Sequence, residues 1–179
     1  MGSYYYLAAQ LPYLVYGQSA PMTSAAFKEL AKDSMSSADA RILDYCTLDP
    51  AFYSASTPSA FINRFREWEM SLRFNLAKNR SIKLKREGGT IEAPEYPADA
   101  AAAAKNALAI ESPLDAELFL DKARWDVIDS FQGINTFSEN AMYAYLFKLL
   151  LMERRAAFIT ELGFSEYKEL YTAILEEVK

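Results

Sequence analysis

The sequence predicts an all-α fold, a compact multi-helix bundle of about six to seven helices built from helical hairpins. Apolar residues recur every three or four positions along most of the chain, capping residues precede these patterns, and no segment shows the alternation of a strand. The chain has 179 residues, of which 51% are hydrophobic, which is enough for one core. We therefore expect a single helical domain over residues 1–179.

One long buried helix near residues 138–162 is predicted to form the centre of this domain. Ser138 is a suitable N-cap, and Gly163 is a suitable residue to follow the helix. From Ala141 to Met152 the only charged residue is Lys148, and a helix that is apolar on nearly all sides is buried. A membrane span needs about 20 apolar residues, and the charges around this stretch leave too few. No direct membrane insertion is expected.

The N-terminal segment Tyr4–Tyr16 is uncharged and rich in tyrosine. Pro12 breaks a continuous helix, so the sequence leaves open a short helix or a buried extended arm. The tyrosines can pack in the core with their hydroxyls at its margin. The alternative is an exposed strip that docks on a partner.

Two short helices are predicted next. Thr23 or Ser24 caps the first, which runs over about 24–33, and two serines open the second, which runs over about 36–46. The second ends at the single cysteine, Cys46, which we expect to be a buried thiol because apolar residues surround it in the helical pattern.

A longer helix is predicted after an interruption rich in Ser, Thr and Pro. Thr57 followed by Pro58 is a strong helix start, with the N-cap before a proline at the first helical position. Its apolar stripe ends near Arg80 and consists of Phe61, Phe65, Trp68, Leu72 and Leu76. This side of the helix is predicted to face the core.

The rest of the chain is predicted to form a long loop near 81–98 and three further helices besides the central one. The loop lacks helical periodicity, and its two adjacent glycines suit a small hairpin. An alanine-rich helix follows over Ala98–Ile110, and the next begins at Ser112 and ends at Gly133. After the central helix, Ser165 caps a last amphipathic helix.

Charge is distributed unevenly, although the net charge is -5. Eight basic residues stand between positions 64 and 86 against two acids: Arg64, Arg66, Arg73, Lys78, Arg80, Lys83, Lys85 and Arg86. The simpler interpretation is a solvated helix face with intrahelical pairs such as Arg66 with Glu69. The functional interpretation is a protein interface for an acidic partner.

The helix after Ser112 carries several acids, which raises the question of a metal site. Its carboxylates are Asp115, Glu117, Asp121, Asp126 and Asp129. Lys122 and Arg124 stand among them at helical pairing distances, so the pattern favours a solvated face.

The composition excludes several kinds of active site. Without histidine there is no Ser-His-Asp or Cys-His nucleophile system and no His-ligated zinc, although an all-carboxylate magnesium site stays open. A single cysteine excludes an intramolecular disulfide, and the start of the chain lacks a basic leader. We expect a cytoplasmic, non-enzymatic protein with no cofactor, no metal, no small-molecule substrate and no nucleic acid.

Three stretches together resemble a known family. They are YYYLAAQLPYL from Tyr4, WEMSLRFNLAKNR from Trp68, and SPLDAELFLDKARWDVID from Ser112 with the later YAYLFKLLLMERR. They are similar to a little-characterised bacterial family encoded in V/A-type ATPase gene clusters. That family is itself similar to the C-type (also called d-type) subunit of V-type ATPases, the helical cup that joins the rotor shaft to the membrane ring. C-type subunits are longer, so this chain is either a partial equivalent or another product of such a cluster.

The resemblance implies a non-enzymatic accessory or central-stalk component that couples or assembles the rotor and the membrane ring of the ATPase. Its partners would be other V/A-type ATPase subunits, of the central stalk and the membrane ring, and the complex would hold it peripherally at the inner membrane. The alternative is a free-standing helical adaptor that binds an acidic partner or RNA through the basic 64–86 strip. Aromatic residues are interleaved there, and a steep salt dependence would identify phosphate contacts.

Overall fold

A computed structural model describes residues 4–53, 56–84 and 97–158. Within these ranges the chain forms seven α-helices, two short 3-10 turns and no strand, packed as a compact bundle, which confirms the all-α prediction. The helices are α1 (Tyr5–Gln10), α2 (Ser24–Ser34), α3 (Ser37–Ile42), α4 (Ala60–Lys83), α5 (Ala98–Ala109), α6 (Pro113–Gln132) and α7 (Glu139–Ala156). No helix in the described part of the chain is long and apolar enough to cross a membrane.

Helix α7 lies at the centre of the core, as predicted. Its side chains Leu146, Phe147 and Leu149 are fully buried. The Phe147 ring lies 6.2 Å from that of Phe61 and 4.5 Å from that of Phe65, both on α4. Ring contacts of this kind add to the free energy gained by burying the rings. The apolar part of α7 therefore packs against α4 on one side. It also contacts α6 and α2, which enclose it on its other sides.

The prediction for the end of this helix was wrong. Helix α7 ends at Ala156, six residues before the expected Leu162. The N–H of Ala157 shares the carbonyls of Glu153 and Arg154, and the N–H of Phe158 donates to the carbonyl three residues back, so the last turn tightens. Gly163 and the last helix expected from Ser165 lie outside the described residues.

Helices α4 and α5 form the closest helical hairpin. The whole predicted stripe of α4 is buried, and small alanines of α5 let the two backbones approach. The indole N–H of Trp68 donates to Asp99 at 2.9 Å, which ties α4 to the first turn of α5. Helix α4 extends to Lys83, so the predicted loop near 81–98 begins later than expected, and residues 85–96 lie outside the described part.

The start of α4 also differs from the prediction. Ser59, rather than Thr57, is the N-cap, and its hydroxyl accepts from the N–H of Ile62 at 3.3 Å. Thr57 instead donates through its backbone N–H and its hydroxyl to Asn63 at 2.9 and 3.0 Å. The side chain of Asn63 returns a bond to the Thr57 carbonyl at 2.8 Å. These bonds fold the entering segment back on the first turn, so the helix begins two residues later.

Other helix ends follow their predicted signals. Thr23, Ser36 and Ser112 cap α2, α3 and α6 with their side-chain oxygens. Gly133 follows α6 with φ +77°, a conformation that favours glycine. Helix α3 ends at Ile42 and continues as a 3-10 turn to Tyr45, and the Cys46 that follows is buried, as expected.

The N-terminal segment combines the two conformations that the sequence left open. Residues Tyr5–Gln10 form α1, and Leu11 is extended, with ψ 129°. A residue that precedes proline is driven from the helical to the extended region by the proline ring, so Pro12 ends α1 at Gln10. Residues 11–16 then continue without a helix along α6 and α7, with the Tyr145 hydroxyl bonded to the Pro12 carbonyl at 2.9 Å.

Candidate interaction surface

The basic residues predicted as an interface do not share one environment. Arg66 is buried, donates to the Tyr45 carbonyl at 2.8 Å and lies over the ring of Tyr53. Arg73 is half-buried and donates to Glu69 at 2.7 Å. The side chains of Arg66 and Arg73 therefore make contacts within the fold.

The remaining basic residues in the described range lie closer to solvent. Arg64 is exposed above the ring of Phe131, 4.0 Å from its centroid, and Lys78 is half-buried. Arg80 lies 3.9 Å from Glu117, and Lys83 donates to the carbonyl of Leu108 at 3.4 Å. Lys85 and Arg86 lie outside the described residues. The accessible part of the predicted strip is thus reduced to Arg64, Lys78, Arg80 and Lys83.

A buried ion network joins α4, α6 and α7, and the sequence did not predict it. Arg124 donates to both oxygens of Glu69, at 2.9 and 3.0 Å, and to Asp121 at 3.0 Å. The side chains of all three are at most 4% exposed. Arg154 of α7 extends the network, 3.1 Å from Glu117 and 3.8 Å from Asp121. We call these five residues the ion network.

The ion network overturns two expectations. Asp121 and Arg124 were expected on a solvated face, but both are buried against α4. Glu69 was expected to pair with Arg66 within α4, but its partners are Arg124 and Arg73. Helical periodicity fixes which residues share a face, whereas the pairing of Glu69 with Arg124 spans 55 residues.

The electrostatics of the network follow from its burial. Burial alone lowers the pKa of Arg124, but the facing carboxylates of Glu69 and Asp121 outweigh it and raise the pKa. Burial raises the pKa of Asp121, against the opposing effect of Arg154 and Arg124. A bidentate Arg–carboxylate pair restricts geometry in two bonds at once. The network therefore fixes the relative positions of three helices.

An aromatic surface lies at the other end of α7, where the N-terminal segment crosses it. Tyr5, Tyr6 and Tyr13 are 59%, 79% and 89% exposed, and Phe137 is 37% exposed. The rings of Tyr5 and Phe137 are 4.4 Å apart, and Tyr13 and Phe137 line one groove of about 410 Å³. These four residues are called the aromatic surface. None of the four carries a charge, and the paired side chains of Asp129 and Lys148 line the same groove.

Buried neighbours hold this surface in place. Tyr4, Leu7 and Leu14 point into the core, and the N–H of Tyr4 donates to the Phe137 carbonyl at 2.8 Å. The Tyr16 hydroxyl donates to the Leu118 carbonyl at 2.7 Å, and its ring lies edge-on to Trp125. The segment is thus both core and exposed strip, because buried and exposed residues are interspersed along it.

Of the acids considered for a metal site, all but Asp115 are paired with cations among the described residues, Asp129 with Lys148. Asp126 pairs with Lys122, and Glu117 and Asp121 belong to the ion network. The described residues contain no group of three or more acidic, Cys or His side chains that could hold a metal ion. Burial raises the pKa of the Cys46 thiol, so the thiol stays neutral.

Comparisons with protein-family models, with curated proteins and with solved structures found no match for this chain.

Proposed function

We propose that the protein is a non-enzymatic accessory or central-stalk component of a bacterial V/A-type ATPase, similar to its C-type subunit. The resemblance of the three stretches quoted above supports the choice of complex. The observation that carries the proposal of a binding role is the aromatic surface, whose tyrosines are anchored by buried neighbours yet largely exposed.

The chemistry of the aromatic surface suits binding to another protein. Tyrosine is enriched in the cores of protein interfaces, and charged residues are depleted there. Exposed apolar groups that are contiguous usually mark an interaction site. Tyr5, Phe137 and Tyr13 are linked by a ring contact and a shared groove, whose charged lining residues, Asp129 and Lys148, are paired with each other.

The arrangement of charges supports a structural rather than a catalytic role. The acids and arginines that lie closest together, in α4, α6 and α7, are paired with each other in the ion network. The ion network therefore holds α4, α6 and α7 in fixed positions relative to each other.

Recovery of the tagged full-length protein from its native cells, with its complex intact, tests the proposal. We expect co-elution with central-stalk subunits or the membrane ring. Tyr6→Ser combined with Tyr13→Ser should reduce the recovered subunits at least tenfold, since each exposed aromatic anchor contributes about 1–2 kcal/mol to an interface. Phe52→Ser is the matched control, because Phe52 is 66% exposed but lies elsewhere. Wild-type protein that recovers no ATPase subunit contradicts the proposal.

The basic residues are a second predicted interface and need a different test. Reversal of Arg73 would place a second carboxylate beside buried Glu69 and damage the fold. Arg80→Glu with Lys83→Glu avoids this, since both side chains are exposed. Loss of ATPase recovery in this variant alone would assign the interface to the basic strip. Binding to RNA with a steep salt slope would instead favour the adaptor, although Phe65 and Trp68 are buried and cannot stack on bases.

A further inference from the structure

The outward side of α4 carries a row of side chains that stay accessible, although most of the helix is buried. We call it the outer row, and its members are Glu67, Met70, Phe74, Ala77 and Lys78. Spacings of three and four residues place them along one face of the helix. Phe74, at the middle of the row, is 42% exposed. The row therefore has an apolar centre that faces outward.

Opposite charges stand at the two ends of the outer row. Glu67 and Lys78 are three helical turns apart, a distance of about 16 Å along the axis. Glu67 is exposed and Lys78 is half-buried. The ion pairs found within the described residues include neither side chain. Among those residues, both charges are thus available to a partner.

This arrangement is complementary to a second copy of itself. A two-fold axis that relates two antiparallel α4 helices at the middle of the outer row places Glu67 of each copy opposite Lys78 of the other. Two ion pairs then flank an apolar centre, in which the Phe74 rings of the two copies lie within one helical turn of each other. A polyanion such as RNA suits this face less well, because Glu67 repels phosphate as strongly as Lys78 attracts it.

The surface beside the outer row also has room for a second copy. A hollow of about 290 Å³ adjoins Glu67 and Met70 and is lined on its other side by Tyr53. Past the opposite end of the row, Ile82 and Leu84 are 66% and 61% exposed. In the antiparallel arrangement these two apolar side chains extend toward the end of the other copy where the hollow lies.

We propose that the protein forms a two-fold dimer in which the outer rows of two α4 helices pack antiparallel. Phe74 is the apolar anchor of this interface. Glu67 and Lys78 set its direction, because parallel helices in register would bring like charges together. The dimer is independent of the proposed function, since it uses no residue of the aromatic surface.

Sedimentation equilibrium of the full-length protein over a range of concentrations tests the dimer. The mass should rise from that of one chain, 20.2 kDa, toward twice this value. Phe74→Ser should raise the Kd of the dimer at least about tenfold while the circular dichroism spectrum stays that of wild type. Lys105→Glu is the control, because Lys105 is an exposed cation on α5, and it should keep the wild-type Kd. A monomer mass at every concentration, or a Kd that Phe74→Ser leaves unchanged, overturns the proposal.

Exchange of the two charges tests the antiparallel direction. Glu67→Lys and Lys78→Glu should each weaken their own homodimer, because like charges then face each other. In a mixture of the two variants every facing pair is again opposite in charge, so a heterodimer should form with about the wild-type Kd. Mixing does not repair a folding defect in either variant. A mixture that stays monomeric overturns the antiparallel pairing, and loss of the dimer in Tyr13→Ser would place the interface on the aromatic surface instead.

Discussion

The ion network and the aromatic surface place charged and apolar side chains in the opposite way from most helical bundles. In the network, Glu69, Asp121 and Arg124 are fully enclosed between helices. At the aromatic surface, Tyr6 and Tyr13 face solvent. Burial without a partner is costly for a charge, so the buried charges have to be paired with each other. Exposed aromatic side chains need no such pairing within the fold, so the rings of Tyr6 and Tyr13 stay accessible to a partner.

The two regions therefore differ in what a substitution removes. In the network a single change leaves another charge buried without its partner, and the penalty falls on stability. On the aromatic surface a substitution removes side-chain area that is exposed to solvent in the folded protein, so the free energy of unfolding changes little. Four experiments test this contrast, in order of expected effect.

Arg124→Met should destabilise the protein most, by about 3–5 kcal/mol, because Glu69 and Asp121 lose their buried partner. Urea unfolding followed by circular dichroism measures the change. Lys122→Met is the matched control on the same helix, where the exposed pair with Asp126 contributes under about 1 kcal/mol. Equal losses in the two variants would contradict a special role for the network.

Leu14→Ala should cost about 2 kcal/mol, the low end for a buried leucine, since the neighbouring residues can close in from the surface. Leu14 lies next to Tyr13 but points inward, so this change tests the anchoring of the aromatic surface. Hydrogen exchange should show faster exchange in residues 11–16 before the rest of the fold. Protection equal to that of wild type in this segment would show that Leu14 does not anchor it.

Asp121→Asn should alter the pH dependence of stability. Burial raises the pKa of Asp121 above its ordinary 3.8 in the folded state. Such a carboxyl contributes to the free energy of unfolding in full below its ordinary pKa, and this contribution is lost as pH rises through the folded-state pKa. The loss is about 1.4 kcal/mol for each unit by which the folded and unfolded pKa values differ. The free energy of unfolding of wild type, relative to Asp121→Asn, should therefore fall as pH rises from below 3.8. Urea titrations across that range measure it, and a difference that does not vary with pH contradicts it.

Tyr13→Ser should change the free energy of unfolding by less than about 0.5 kcal/mol, because its side chain is 89% exposed. The same urea experiment checks this value. A loss above about 1 kcal/mol, on the scale of a buried contact, would mean that Tyr13 supports the fold. The aromatic surface would then no longer be independent of stability.

Local signals in the sequence account for most helix positions. Thr23, Ser112 and Gly133 end or begin helices through bonds and backbone conformations that involve only near neighbours. The stripe from Phe61 to Leu76 required only helical spacing. Thr57 misled because a competing bond to Asn63, six residues on, takes its side chain away from the helix start.

The interior charges were not predictable in the same way. Along α6, Asp121 and Arg124 look like any intrahelical pair, and nothing local separates them from exposed Lys122 and Asp126. Only the packing of α6 on α4 brings Glu69 to Arg124. The same limit applies to the basic strip, where Arg66 and Arg73 turned inward while Arg64 and Arg80 did not.

The two tryptophans of the chain report on different parts of it. Trp68 is enclosed and bonded to Asp99, so its emission should stay constant until the protein unfolds. Trp125 lines the groove beside Tyr13, with the ammonium of Lys148 5.2 Å from its ring. A molecule that enters the groove alters this charged and aromatic surrounding. Trp68→Phe would leave a protein whose intrinsic fluorescence follows occupancy of the groove, with no label attached.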